Sequence, residues 1–156
     1  MKKLNPDYVK AVTTMANDSP YFRHLGMAIA ELGVGEALVE IRSQAVHRQV
    51  FGHVHGGVIA SLVDTAIFWC FFGELDESAG ITTVDLKVNY LAPVADGKLS
   101  ARGKRIRLGR TLGLGETEVI NSEGKLVAHG TSSVIVLTQN RLSSPFASLR
   151  MPKFLP

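Results

Sequence analysis

The chain has 156 residues and a mass of 16.9 kDa, the size of one compact domain. Its 46% apolar and 20% charged residues suit a packed core and exclude a disordered chain. The formal charge of +3 is too small an excess to imply nucleic-acid binding. Cys70 is the only cysteine, which excludes an intramolecular disulfide and a cysteine-built zinc or iron–sulfur site.

Asn5 and Pro6 form a helix start, with Asn as N-cap and Pro in the first helical position, and predict a short N-terminal helix over about Pro6 to Ala16. Lys2 and Lys3 precede a polar-interrupted stretch without the apolar run of a signal peptide, and the expectation is a cytoplasmic protein. Ser19 to His24 reads as a connector. Leu25, Met27 and Ile29 alternate, as do Ala37, Val39 and Ile41, with Gly33 and Gly35 between them, so two antiparallel strands joined by a tight turn are expected.

His47 to His55 reads as a loop. Gly56 and Gly57 then open the apolar run Val58 to Phe72, whose Ala and Leu content favours a helix ending near Gly73. Its fifteen residues fall short of the ~20 of a membrane helix, and no membrane association is expected. Four strands follow. Val84, Leu86, Val88 and Tyr90 alternate with Asp85, Lys87 and Asn89. Pro93 and Asp96–Gly97 mark a break. Leu99 and Ala101 start a phase that Ile106 and Leu108 continue in the other register, which predicts a β-bulge near Gly103. Gly109 to Thr111 and Asn121 to Gly124 read as turns, around a strand from about Leu112 to Ile120. A last strand runs from Lys125 to about Leu137, and residues 139–156 read as an extended tail. About six antiparallel strands and one long helix make an α+β domain.

The helix is apolar on nearly every side, so it is enclosed rather than laid on a surface. A single sheet encloses it by wrapping around it, and a second subunit adds further cover. The exceptions are Gly57, Ser61, Asp64 and Thr65, which fall on one face. A lone carboxylate in such a helix either holds the helix to a neighbouring strand or faces a ligand cleft. The two glycines permit close approach to the free N–H groups at the helix start, where a carbonyl oxygen gaining negative charge is stabilised. They also suit a tight loop-to-helix turn. Gly56 and Asp64 lie ~12 Å apart along one helix axis, too far for both to act on one carbonyl. Joint action requires the helix start of one subunit to meet the Asp of another.

The segment Gly52-His53-Val54-His55-Gly56-Gly57-Val58-Ile59-Ala60-Ser61-Leu62-Val63-Asp64-Thr65-Ala66 resembles the hotdog-fold thioesterases, specifically the PaaI-like acyl-CoA thioesterases. Thr83 to Pro93 resembles that family's third strand and Gly124 to Gly130 its final hairpin, so the resemblance spans about residues 19–138. It implies an antiparallel sheet wrapped around the central helix, in a homodimer or homotetramer. It implies hydrolysis of an acyl-CoA thioester without metal or organic cofactor. Asp64 then activates water or attacks the carbonyl directly, the Gly56 amide polarises that carbonyl, and Thr83 positions the water. Gln49 stands where the family often has an Asn that assists carbonyl binding, and it keeps the amide with one more methylene. His55, Gly57, Ser61 and Thr65 are further candidates for substrate contact.

Lys98 to Arg110 carries Lys98, Arg102, Lys104, Arg105, Arg107 and Arg110 with no acid. Arg110 in its turn, followed by Lys104 and Arg107, are the candidates for the phosphates of coenzyme A; a solvated strand face is the plainer reading. His53 and His55 lack the neighbouring ligands of a metal site. No serine-hydrolase elbow or P-loop is present. Three other functions share these residues: an acyl-carrier-protein thioesterase, a hotdog dehydratase or hydratase using His55 with Asp64, and a non-catalytic acyl-CoA-binding protein.

Overall fold

The computed structural model describes residues 2–137 and 145–156. Strand β1 (Lys3–Leu4) leads into α1 (Pro6–Asn17), which Asn5 caps by accepting the Asp7 N–H at 3.1 Å. Tyr8, Val12 and Ala16, four residues apart, form its buried stripe. The segment expected to be a connector is a second helix, α2 (Pro20–Leu25). Pro20 starts it and Gly26 ends it at φ 60°. Six residues are too few to carry a helical period, which is why the pattern did not reveal it.

The main sheet has six antiparallel strands in the order β2 (Met27–Leu32), β3 (Glu36–Arg42), β5 (Lys98–Leu108), β6 (Leu112–Asn121), β7 (Leu126–Leu137), β4 (Gly80–Tyr90). It curls around α3 (Gly56–Glu74), against which β2 to β7 all pack. The α+β hotdog architecture is therefore the one found. The short connection from β4 to β5 does not join neighbours in the sheet. It spans three strand spacings, ~14 Å, well within the reach of its seven residues, ~23 Å.

Helix α3 is longer than its apolar run, at 19 residues, enough by length and composition to cross a membrane. Its side chains are instead the protein's core: Leu62, Val63, Ala66, Ile67, Cys70 and Phe71 are fully buried. The sheet approaches it closely because small residues face it. A Cβ at Gly103 on β5 would lie 2.3 Å from the Ala66 carbonyl oxygen, and one at Gly130 on β7 would lie 2.5 Å from Val63 Cγ1. Gly103 is thus a contact with the helix. The bulge expected there falls later, between Arg105 and Arg107, with Ile106 as the extra residue.

A second bulge lies in β4, where pairing to β7 shifts between Thr83 and Asp85. Side chains alternate along a strand. Thr83 and Tyr90, seven positions apart, would therefore face opposite sides of a regular strand. The extra residue at Val84 restores one phase for both.

Residues 145–156 do not form the expected extended tail; the rest of that segment, 139–144, lies outside the described residues. A 3-10 turn (Pro145–Ser148) sets Phe146 edge-on against Trp69 and Phe72 of α3. Strand β8 (Phe154–Leu155) then pairs antiparallel with β1. Between them Lys153, 2% exposed, donates to the carbonyls of Phe72 and Leu75 at the C-terminal end of α3. There a cation meets the negative end of the helix dipole.

Candidate active site

The loop before α3 is held by its own backbone. His55 N–H donates to the His47 carbonyl at 2.8 Å, Gln49 N–H to His53 at 2.8 Å, and Val54 N–H to Val94 at 2.7 Å. His47 is buried and accepts the Gln44 N–H on Nδ1. Burial holds its imidazole below the usual histidine pKa, against the opposing pull of the Leu25 carbonyl. Gly52 closes the turn at φ 87°. This scaffold fixes where α3 begins.

His55 is the N-cap of α3, its Nδ1 accepting the Gly57 N–H at 2.9 Å. That bond requires an unprotonated Nδ1 and occupies the Gly57 amide. The Gly56 amide remains at the mouth of the helix. The Gly56 carbonyl accepts the Tyr90 hydroxyl at 3.0 Å. One turn on, Ser61 Oγ donates to the Gly57 carbonyl at 2.9 Å and lies 2.6 Å from the Tyr21 hydroxyl.

Asp64 lies a further turn along the same face, half-buried, and its Oδ1 accepts the Thr83 hydroxyl at 2.9 Å. Asp64 and Thr83 are therefore in direct contact across the helix–sheet interface. Thr65, the next residue, is buried.

Gln49, His53, Gly56, Ile59 and Tyr90 line a cavity of about 330 Å³ together with Leu91 to Val94. Asp64 and Thr83 do not line it. One chain thus presents a helix-start amide and a side-chain amide in one place, and a carboxylate with its hydroxyl partner in another. The Gln49 carbonyl oxygen accepts the Phe51 N–H, which leaves its NH₂ as the donor.

The basic run divides once the neighbouring strands are in place. Lys98 pairs with Glu40 at 2.7 Å, Arg102 with Glu31 at 3.1 Å, and Arg105 with Glu74 at 2.8 Å. Lys104 stands between Glu36 and Glu116 in the strand register, which separates it from the other two phosphate candidates. Arg107 and Arg110 line a second cavity, about 470 Å³, at the β5–β6 turn. The two motif histidines are engaged differently, His53 in a cavity wall and His55 in the cap. Among the described residues no group of three or more His, Cys, Asp or Glu is placed to hold a metal ion.

Tyr90 and Tyr21 are site residues that no motif or spacing in the sequence singles out. Tyr90 ends an alternating strand and reads as a packing residue; its bond to Gly56 is a tertiary contact that no spacing carries.

Residues 51–128 match the family model described as the thioesterase superfamily. The chain belongs to the thioesterase superfamily. Over 118 residues it is 36% identical to a putative esterase of Haemophilus influenzae, covering 73% of this chain and 84% of that one. It is 26% identical over 127 residues to human acyl-coenzyme A thioesterase 13, covering 80% of this chain and 88% of that one. A variant of the phenylacetic acid degradation protein PaaI from Thermus thermophilus superposes with a TM-score of 0.68 at 28% identity, covering 75% of this chain and 98% of that chain. This PaaI-like hotdog thioesterase is an enzyme of the thioester-hydrolase class. Thioester hydrolysis needs a donor for the carbonyl oxygen and a base or nucleophile for attack, and the hotdog thioesterase carries candidates for both on one helix.

Proposed function

We propose that the protein hydrolyses acyl-CoA thioesters to a free carboxylic acid and CoA, at two sites shared between copies of the chain. The observation that carries this reading is the Asp64–Thr83 pair: the one carboxylate within the apolar run of the helix, its other acid being the terminal Glu74, held by a strand hydroxyl at 2.9 Å. Asp64 of one copy takes a proton from water, with Thr83 fixing the carboxylate, or attacks the thioester carbonyl itself. The Gly56 N–H of the other copy stabilises the oxygen of the tetrahedral intermediate, assisted by the NH₂ of Gln49. The C–S bond breaks and the CoA sulfur leaves with a proton; where Asp64 has attacked directly, water then hydrolyses the resulting acyl anhydride and restores the carboxylate. Arg107 and Arg110 are the residues proposed for the CoA phosphates. The second copy is proposed to cover β4, a sheet edge whose Val84, Leu86 and Tyr90 are exposed in the single chain.

A histidine-based dehydration is less well supported, because His55 Nδ1 is engaged in capping the helix. The test is free-thiol release from short, medium, long and arylacetyl CoA esters, with Asp64→Ala and Asp64→Asn beside the wild type. Losses of ~10²-fold or more in both variants are expected. Unchanged turnover would remove Asp64 from the chemistry. Turnover of acyl-carrier-protein esters alone would replace CoA as the substrate, and turnover of neither ester would leave a binding protein.

A further inference from the structure

We infer that Tyr90 is a positioning residue for the carbonyl-polarising amide, acting through the first peptide group of α3. The inference rests on the function proposed above for Gly56.

The peptide group between Gly56 and Gly57 is held at both of its polar atoms by side chains. Its carbonyl oxygen accepts the Tyr90 hydroxyl at 3.0 Å, and its N–H donates to His55 Nδ1 at 2.9 Å. Rotation of that plane changes ψ of Gly56, a residue without a Cβ to restrain it. The same rotation swings the helix mouth at which the Gly56 N–H sits. Two glycines in succession leave this turn without side-chain restraint on the backbone, and the two side-chain bonds oppose that freedom. The Tyr90 ring also occupies the space beside Gly56: a Cβ there would meet the ring and its oxygen at 3.1 Å. Gly56 is therefore the residue that lets Tyr90 approach the backbone.

Tyr90 reaches this place from the strand that carries Thr83. The bulge at Val84 turns both side chains toward α3, one to Asp64 and the other to Gly56. One strand thereby sets the carboxylate and the amide of the same helix. Tyr90 also walls the 330 Å³ cavity beside Gln49 and is 54% exposed in the single chain. Its hydroxyl is engaged by the Gly56 carbonyl, so in the proposed mechanism it acts through that peptide group.

Tyr90→Phe keeps the ring against Gly56 and removes the hydroxyl. A displaced catalytic group lowers the rate of the chemical step more than substrate binding. The expected result is a kcat lowered about tenfold with KM within about twofold of wild type. Amide hydrogen exchange at Gly57, followed by NMR, is expected to accelerate in the variant while protection in Leu62 to Phe71 is unchanged. A kcat within about twofold of wild type would overturn the inference. So would unchanged exchange at Gly57, or loss of protection along the whole of α3, which would make Tyr90 a general packing residue. Should the wild type turn over no thioester, the function proposed for Gly56 fails and the catalytic part of this inference fails with it. The exchange measurement then still decides whether Tyr90 holds the first peptide group of the helix.

Discussion

Gly103 and Gly124 are both glycine for different reasons, and substitution separates them. At Gly103 an added Cβ lies 2.3 Å from the backbone oxygen of Ala66, an atom that cannot rotate away. At Gly124 no atom lies within 4 Å, but φ is +76°. Gly103→Ala is therefore expected to destabilise by about 3 kcal/mol or more through forced separation of helix and sheet. Gly124→Ala should cost only ~1–2 kcal/mol of left-handed strain. Urea midpoints of the two variants check this, and equal losses would remove the close-approach argument. The same contrast governs what can be read in the sequence at this scale. Asp64 stands out because a single carboxylate interrupts an apolar helix, and Gly56 because a helix start is visible in the pattern. Tyr90 does not stand out, because an aromatic residue at the end of an alternating strand satisfies the pattern whether or not its hydroxyl meets a backbone carbonyl. The basic run misleads for a related reason. It lacks acids in its own strand, whereas Glu31, Glu40 and Glu74 reach it from other elements.

The C-terminal segment is the element furthest from its sequence reading. Two-residue strands carry no period, and the docking of residues 145–156 depends on Lys153, whose apolar stem and donor head fit the carbonyl end of α3. Its ammonium also lies 4.1 Å from the centre of the Phe72 ring. Burial pushes the Lys153 amine down to about 8, with Glu77 and Asp76 opposing and Lys2 reinforcing the shift. The folded chain then releases this proton at a lower pH than the unfolded chain, so the unfolded chain binds more protons between about pH 8 and 10.5. Stability contributed by this group rises across that window and is lost as pH falls through 8. At 1.36 kcal/mol per pH unit, the full effect is on the order of 3 kcal/mol. Burial raises the pKa of the Tyr8 phenol, which works in the opposite sense at the alkaline end. Comparison with Lys153→Met removes that contribution. Between pH 7.5 and pH 10 the wild type is expected to gain urea resistance relative to the variant, and parallel profiles would contradict the linkage. The longer elements were legible because their periods run for many residues: α1, α3 and the six strands of the main sheet lie close to their expected positions. Helix α2, the bulge positions and the placement of β4 at the sheet edge were not, since each is decided by which surfaces meet.

At the scale of the whole molecule, the decisive feature is that one helix carries both proposed groups eight residues apart. A hotdog thioesterase whose sites combine Gly56 of one copy with Asp64 of another needs two-fold pairing, and that pairing generates two equivalent sites. Mixing two defective chains tests it directly. Asp64→Asn removes the carboxylate and leaves the helix mouth intact. Gly56→Pro deletes the amide donor at the first helical position, where the proline ring is compatible with helix geometry; it also displaces Tyr90 of the same chain, a further defect confined to the helix mouth, and leaves the Asp64 carboxylate in place. Each variant alone is expected to be nearly inactive. When they are unfolded together and refolded as an equal mixture, half of the pairs contain one chain of each kind. One of the two sites in such a pair then has an unaltered Gly56 facing an unaltered Asp64, while the other site carries both defects. Activity is therefore expected to recover to about a quarter of the wild-type value. A mixture that stays as inactive as its components would place both groups of each site in one chain, which a helical separation of ~12 Å does not permit without a different donor. Activity that recovers but far exceeds a quarter would mean that Gly56→Pro retains a working site and that another amide of the helix mouth serves the carbonyl.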